Sequence, residues 1–346
     1  MDNVSAYDAA VEALRSLPSL TVTGVGSLPT KDGPAAVEFV ARHNPSLPYL
    51  PQLPKRSPWE GMVDQAIHPV AHLLERDRFP FWRLNSSMQS TFADALKKCS
   101  PALDTDSAAG WLPFLDWIRQ GLFPANGIVK TQMVGPVTLA NCIHLDGEPL
   151  SWRPAWLARL ANYLVRRAVW QIQRLTLRGT RVLLTLDEPA MSALILGVGT
   201  WSASSLANTV QTVLDAIRQA GAAAGLHCCA PLDVDLLEPI RVDFLSFDAL
   251  LPMTDLGFGP LLQDMLNANG RVAFGLVPTT ETTHSDADLI ARWRTLAMKL
   301  GDLETARSRT LITATCGLGF GEEAFAEAAM QRCHRIAAGI AALNLQ

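Results

Sequence analysis

The sequence has little charge for its length and no long uncharged apolar run. Charged residues make up 18% of the 346 residues, and the formal net charge is −4. A basic surface for nucleic acid is therefore not expected, and neither is a highly charged disordered tail. No segment reaches about 18 apolar residues without a charge, so no membrane-spanning helix is predicted.

A signal peptide and a regular cysteine framework are also missing. The chain starts Met-Asp-Asn-Val, without the basic and apolar regions that direct secretion. Its six cysteines stand at irregular spacings, as Cys99, Cys142, Cys228, Cys229, Cys316 and Cys333. Both features favour a reducing compartment. We therefore expect a cytoplasmic protein with free thiols and without nucleic-acid or membrane partners.

Short apolar segments alternate with helical patterns along the chain. The predicted strands are Thr21 to Leu28, Tyr49 to Leu53, Gly127 to Val134, Arg181 to Asp187, Ala223 to Cys229, Phe244 to Asp248, Val272 to Pro278 and Leu311 to Cys316. Eight strands alternating with helices predict an α/β fold, the (β/α)₈ TIM barrel, with a doubly wound open sheet as the alternative. The barrel is favoured because polar residues end nearly every strand, and a barrel gathers these ends on one rim.

Residues 54–126 interrupt this alternation between the second and third predicted strands. They carry helical patterns at Met62 to Glu75 and around Ala108 to Gln120. We predict one barrel domain over residues 1–346, with 54–126 as an inserted segment that covers the site. Extra scaffold on the outside of the barrel is the alternative. The other predicted helices are Tyr7 to Leu17, Ala35 to Arg42, Trp156 to Arg178, Ser205 to Ala220, Asp286 to Gly301 and Glu322 to Leu343.

The segment Gly-Leu-His-Cys-Cys-Ala sets His227 and Cys229 two residues apart at the end of a predicted strand. Residues at this spacing in a strand point to the same face, so an imidazole and a thiolate would share one site. Nitrogen and sulfur ligands suit tetrahedral Zn²⁺. Cys316, at the end of the last predicted strand, is the candidate third ligand, and Asp248 is the candidate oxygen ligand.

A zinc ion held in this way would activate a thiol, because a metal-bound thiol loses its proton near neutral pH. The alternative interpretation makes Cys229 and Cys316 small buried hydrophobic residues and His227 a hydrogen-bonded core histidine.

Two further motifs predict an amino-acid substrate. Asp187 and Glu188 are adjacent at a strand end, so they cannot both face inward. Both are candidate substrate-binding residues, and Asp187 is the one expected to point into the mouth and to accept the ammonium group of the substrate. The backbone around Gly26 and Ser27 is expected to offer N–H groups to its carboxylate. The alternative is that the two acidic residues cap a neighbouring element and meet solvent.

Together these motifs resemble one enzyme family. They are Gly24-Val25-Gly26-Ser27-Leu28-Pro29, Val134-Gly135-Pro136-Val137-Thr138, Leu186-Asp187-Glu188-Pro189-Ala190, His227-x-Cys229 and Cys316-Gly317-Leu318. Their order, and roughly their spacing, is similar to the catalytic barrel of cobalamin-independent methionine synthase, from about Thr21 to Phe320. Leu226 to Cys229 and Leu245 to Asp248 also resemble methylcobamide:coenzyme M methyltransferases and their uroporphyrinogen decarboxylase-like superfamily.

The resemblance implies a single-barrel enzyme that binds zinc through His227, Cys229 and Cys316 and methylates the zinc-bound sulfur of homocysteine. It also implies that Asp187 holds the amino group of homocysteine, and that Gly26 with Ser27 holds its carboxylate.

The chain departs from this family in several places. Asp248 stands, with a shorter side chain, near the family's glutamate ligand, and Gln52 stands near a second substrate-binding glutamate. Asn141-Cys142 replaces a tryptophan of the folate-using enzymes, and the chain has no room for their extra N-terminal barrel. The expected donor is therefore methylcobalamin or a methylated corrinoid protein rather than methyltetrahydrofolate.

The sequence thus predicts a zinc-dependent methyltransferase that acts on a small-molecule thiol, with homocysteine as acceptor and methionine as product. One alternative is an enzyme of the same superfamily, either a uroporphyrinogen decarboxylase-like enzyme or a methyltransferase of the methylcobamide:coenzyme M type. Another alternative, of a different class, is a non-catalytic metal-binding barrel.

Overall fold

The structure of the protein is a computed structural model that describes residues 3–192, 203–231, 237, 239–251, 265–299 and 302–344. Strands β1 to β11 in this part of the chain are Thr21–Val22, Leu74–Arg76, Trp82–Leu84, Ile128–Val134, Ile143–Leu145, Glu148–Pro149, Arg181–Asp187, Ala223–Cys228, Phe244–Asp248, Arg271–Val277 and Thr310–Ala314. Helices α1 to α11 are Asn3–Arg15, Gly33–His43, Met62–Ile67, Gln89–Lys98, Trp111–Arg119, Pro136–Asn141, Pro154–Leu175, Ala203–Gln219, Asp286–Met298, Leu303–Arg309 and Glu323–Ala341.

Seven of the strands form one curled parallel sheet in the order β1-β11-β10-β9-β8-β7-β4. All residues of β4 and β10 are buried, as expected of a parallel sheet whose faces are both covered. The prediction of an α/β fold with parallel strands is thus confirmed.

The second predicted strand, Tyr49 to Leu53, does not form a regular strand. Tyr49 makes an isolated parallel bridge to Lys130, and Gln52 makes one to Ser27. The prolines at positions 48, 51 and 54 lack the N–H group that a continuous ladder needs. This segment nevertheless hydrogen-bonds to both edges of the sheet, because Leu50 donates to the carbonyl of Lys130 and Gln52 donates to the carbonyl of Gly26.

Helix α1 covers the amino ends of the strands. Its buried residues Ala10, Val11 and Leu14 form one cluster with residues from the first half of β4, β7, β8, β10 and β11, among them Ile128 and Leu183. This packing closes one end of the sheet. The carboxyl ends, which carry the polar residues noted above, are left for the functional site.

The inserted segment contributes two strands to a small four-stranded sheet that the sequence did not predict. Strand β2 pairs antiparallel with β3, β3 pairs parallel with β5, and β5 pairs antiparallel with β6. Since β5 follows β4 and α6 in the chain, this pairing ties the insertion to a loop at the carboxyl end of the main sheet. Strands of two or three residues leave too little alternation to be recognised in a sequence.

Several predicted helices end a few residues earlier than expected, and two of them are followed by a further helical segment. The helix predicted from Met62 to Glu75 ends at Ile67 and continues as a 3₁₀ turn, His68–Leu73. Pro69 cannot donate a helical hydrogen bond, which accounts for the change. The helix predicted to reach Gly301 ends at Met298, and a further short helix, α10, begins after the N-cap Asp302. No helix among the described residues is long and apolar enough to cross a membrane.

Candidate metal centre and its cavity

Three predicted ligands come together at the carboxyl end of the sheet. His227 lies near the end of β8, Cys229 follows that strand, and Cys316 lies two residues after β11. One ligand atom from each lies within 4.8 Å of the others. Curling of the sheet brings these strands together, although β9 and β10 separate them in the hydrogen-bonded order.

The His227 ring is fixed by a neighbouring strand. Its Nδ1 lies 2.9 Å from the buried hydroxyl of Ser246 on β9. Its Nε2 is buried and has no hydrogen-bond partner among the described residues. A buried nitrogen without a partner is costly, and metal-bound histidines commonly hold their second nitrogen in a hydrogen bond of this kind. The orphaned Nε2 and the two sulfurs beside it therefore fit a zinc ion.

The two cysteines interact directly. A hydrogen bond from Cys229 lowers the pKa of Cys316, with a further contribution from His227 and against the effect of burial. The same hydrogen bond, together with burial, raises the pKa of Cys229. The site therefore favours one thiolate, and a cation between the sulfurs would favour the second. Cys228 points away, as the strand alternation predicts, with its sulfur 3.6 Å from the carbonyl of Ala230.

Asp248, the candidate oxygen ligand, is not in the group of three. Its carboxylate accepts a hydrogen bond of 2.8 Å from the backbone N–H of Leu250. Burial raises its pKa, and Cys316 adds to the rise while His227 opposes it. Asp248 thus interacts electrostatically with Cys316 and His227. Its carboxylate is not, however, among the ligand atoms that lie within 4.8 Å of one another.

Asp187 faces the cavity from the end of β7, as predicted. It is 6% exposed, and its Oδ1 is buried without a partner among the described residues. Burial raises its pKa to about 6, and the neighbouring His227 ring and Lys130 ammonium oppose the rise.

The sequence reasoning did not single out Lys130. Its ammonium donates to the carbonyl of Val25 at 2.6 Å and to Gln132 at 3.2 Å, and burial lowers its pKa to about 8. A lone lysine inside the apolar run Ile128–Val134 was the available signal.

Glu188, predicted with Asp187 to bind substrate, is used differently. Its buried carboxylate accepts hydrogen bonds from the backbone N–H of Val137 at 2.8 Å, the N–H of Thr138 at 2.7 Å and the Thr138 hydroxyl at 2.6 Å. Burial raises its pKa to about 7, and these bonds oppose the rise. Glu188 therefore caps helix α6 from inside the protein. It meets neither the cavity nor solvent.

The metal centre opens into a cavity of about 340 Å³ lined mostly by apolar atoms. The other predicted substrate-binding residues Gly26, Ser27 and Gln52 line it together with Asp187. The Gln52 side-chain amide also donates to Gln65 on α3 at 2.9 Å. Residues from the inserted segment complete the lining, namely Pro54, Glu60, Gly61, Met62, Val63, Phe79, Pro80 and Phe81.

The loop that carries Cys316 is hydrogen-bonded to the loop after β1. Ser27 accepts a hydrogen bond from the Leu318 N–H through its carbonyl at 2.9 Å, and from the Gly319 N–H through its hydroxyl at 3.2 Å. A Cβ at Gly317 would collide with the hydroxyl oxygen of Ser27. The position of Cys316 therefore depends on the absence of a side chain at the next residue.

We expect Gly317→Ala to displace this loop, to weaken zinc binding about tenfold and to destabilise the protein by about 1–3 kcal/mol, the usual cost of overpacking. Zinc competition with a chelator and urea unfolding measure the two effects. The double variant Gly317→Ala/Ser27→Ala should recover much of the loss, because the next nearest atom, the Cβ of residue 27, is 3.3 Å away. Ser27→Ala alone is the control. Equal losses in the single and double Gly317 variants would contradict the steric explanation.

Solved structures of other proteins share this fold. The B12-independent methionine synthase from Shewanella sp. W3-18-1, solved in complex with selenomethionine, matches 93% of this chain and 98% of its own at 11% identity and a TM-score of 0.60. A methyltransferase from Methanosarcina mazei matches 97% of this chain and 99% of its own at 14% identity and a TM-score of 0.58. No protein-family model matches the sequence, and no curated protein matches it. At these identities the likeness establishes the fold alone: the chain shares the fold of methionine synthase-like and methyltransferase barrels.

Proposed function

We propose that the protein is a zinc-dependent enzyme that transfers a methyl group to a thiol, with homocysteine as acceptor and methionine as product. The observation that carries the proposal is the shared cavity of His227, Cys229, Cys316 and the unpartnered carboxylate oxygen of Asp187. One side of the cavity suits a soft cation, and another suits the ammonium group of an amino acid. The similarity of the fold to methyltransferase barrels also supports the proposal.

His227, Cys229 and Cys316 would hold the zinc ion, with the fourth position left for the substrate. Bound zinc would supply Lewis acidity, which keeps a thiol deprotonated at neutral pH. Ser246 holds the imidazole of His227 in one orientation, so this ligand does not need to be ordered when zinc binds.

The remaining residues would position the substrate. Asp187 accepts the ammonium group, and the backbone around Gly26 and Ser27 holds the carboxylate, which together aim the sulfur at the metal centre. We also propose that the segment 48–52 completes a (β/α)₈ barrel, and that residues 54–126 cover the cavity and keep water from the reacting sulfur.

The methyl donor predicted from the sequence is methylcobalamin or a corrinoid protein, and it stays a prediction. A decarboxylase of the same superfamily would need cationic side chains for acidic substrates. The described residues that line the cavity include no lysine or arginine, so the methyltransferase is the better supported of the two.

Zinc content measured together with thiol methylation tests the proposal. We expect about one zinc per chain, as in other zinc sites with three protein ligands, and formation of methionine from homocysteine with a methyl donor. Zinc without turnover on any donor would favour the non-catalytic barrel. Turnover that survives complete removal of zinc would overturn the proposal.

A further inference from the structure

The outer part of the cavity is aromatic. Phe79 and Phe81 of the inserted segment line it together with Phe320, which follows the Cys316 loop. Phe79 is 60% exposed and Phe320 is 76% exposed. Large exposed aromatic side chains beside a functional cavity indicate a binding surface, and the faces of their rings carry partial negative charge.

The charged groups of the cavity are acidic. Its described lining residues include no lysine or arginine, and of their two carboxylates, Glu60 is paired with Arg56 while Asp187 keeps an unpartnered oxygen. Two basic residues follow the second predicted strand, but Lys55 pairs with Glu322 at 2.7 Å and Arg56 pairs with Glu60 at 3.0 Å. Lys130 is buried beneath the cavity, with its ammonium bound to the carbonyl of Val25.

The three longest segments outside the described residues cannot add a basic group. Residues 193–202, 232–236 and 252–264 contain no lysine or arginine in the sequence. Beside the rings of Phe79, Phe81 and Phe320, a sulfonate, a phosphate or a second carboxylate would therefore lose its hydration without gaining a lysine or arginine partner, which is costly.

We infer that the aromatic part of the cavity binds an onium cation, a quaternary ammonium or sulfonium group, and that this cation is the methyl donor. An onium group is attracted to the faces of aromatic rings, as in other sites that recognise quaternary ammonium ligands, and Asp187 adds favourable negative charge. The inference rests on the proposed function for the identity of the reaction. It competes with the corrinoid donor predicted from the sequence.

The chemistry balances without any further reactant. The thiolate sulfur attacks a methyl carbon of the onium group, and a carbon–sulfur bond forms. The bond from that carbon to the nitrogen or sulfonium sulfur breaks, and its electron pair stays on the leaving heteroatom. An anion and a cation thus become a neutral thioether and a neutral amine or sulfide, and the proton of the thiol has already passed to solvent. No oxidant or reductant is involved.

Three ligands of similar shape test the binding site in the purified protein. Choline is cationic, 3,3-dimethylbutan-1-ol is its neutral isostere, and 3,3-dimethylbutanoate is an anion of similar size. In isothermal titration calorimetry we expect choline to bind at least about tenfold more tightly than the neutral alcohol, and the anion to bind more weakly than both. Equal affinity for choline and the alcohol, or tighter binding of the anion, would overturn the inference.

Replacing phenylalanine by leucine tests the role of the aromatic faces, because leucine keeps an apolar side chain and removes the ring. Phe79→Leu/Phe81→Leu should weaken choline binding about tenfold while changing the affinity for the neutral alcohol less than about twofold. Phe320→Leu, at an exposed position that tolerates substitution, should show the same selective loss if the double variant fails to fold. Phe39→Leu removes an aromatic ring outside this cavity and should change neither affinity. Equal losses for both ligands would mean that the rings act only as apolar surface.

Methyl transfer separates this inference from the proposed function. Trimethylsulfonium and methylcobalamin are offered in turn with homocysteine, and methionine is measured. Formation of methionine from trimethylsulfonium would support both the onium donor and the proposed function. Methionine from methylcobalamin alone leaves the proposed function intact and overturns the onium donor. If choline and trimethylsulfonium bind through the aromatic rings and neither gives methionine, the onium donor is overturned, and the proposed function then depends on the result with methylcobalamin.

Discussion

Replacing Cys316 by serine is expected to remove most of the zinc and all of the methyl transfer. The ligand atom of Cys316 lies within 4.8 Å of those of His227 and Cys229. Without it, only two protein ligands remain, which is fewer than catalytic zinc sites have. Loss of a partner that merely orients a ligand weakens metal binding by about 10–100-fold, so loss of a ligand should exceed about 100-fold. Metal analysis after dialysis against a chelator, together with a methylation assay, measures both effects.

The matched control is Cys228→Ser, one residue from a proposed ligand. Cys228 is buried, its sulfur faces the carbonyl of Ala230, and it is not in the group of three. A serine hydroxyl can donate to the same carbonyl, so this variant should keep its zinc and its activity. A Cys316→Ser protein that is folded and binds zinc as tightly as the unmodified protein would disprove the ligand assignment.

Asp187→Asn should raise the KM for homocysteine about 100-fold while leaving zinc content unchanged. The amide keeps the size of the carboxylate and can still accept a hydrogen bond, but it lacks the negative charge that pairs with the ammonium group. Such bonds contribute about 1.5–3 kcal/mol, and each 1.4 kcal/mol is about tenfold in affinity. Steady-state kinetics with homocysteine as the varied substrate measure this change.

The control for Asp187 is a change of substrate. The thiol 4-sulfanylbutanoate is homocysteine without its amino group, and it should be a poor substrate for the unmodified enzyme. The Asp187→Asn substitution should hardly alter its KM, since the proposed contact is missing from the start. If the variant impaired both thiols equally, Asp187 would act on the site as a whole and not on the ammonium group.

Much of the fold could be predicted because its elements are long and regular. Strands such as Ile128–Val134 and Arg181–Asp187 are buried on both faces, and continuous apolar runs between helical patterns indicate parallel strands. Prediction was poorest where proline decides local structure, at Tyr49 to Leu53 and after Ile67. It also missed the small sheet of β2, β3, β5 and β6, whose strands are only two or three residues long and whose central pair, β3 and β5, joins distant parts of the chain.

The candidate site was predictable to a different degree for each residue. His227 and Cys229 were recognisable because a spacing of two residues places both on one face of a strand. The role of Glu188 as a helix cap was not recognisable, because its partners Val137 and Thr138 belong to a helix about fifty residues earlier in the chain. Asp248 has a suitable side chain, but the backbone N–H of Leu250 occupies one of its oxygens.

The sequence by itself determined which chemical groups are present and on which strand ends they stand, because side-chain alternation and strand length are local properties. Only the tertiary structure decided that Cys316 meets His227, that Asp187 keeps an unpartnered oxygen, and that Phe79 and Phe320 line the same cavity. These are contacts between distant parts of the chain. They depend on the curl of the sheet and on the packing of the inserted segment, which no local pattern encodes.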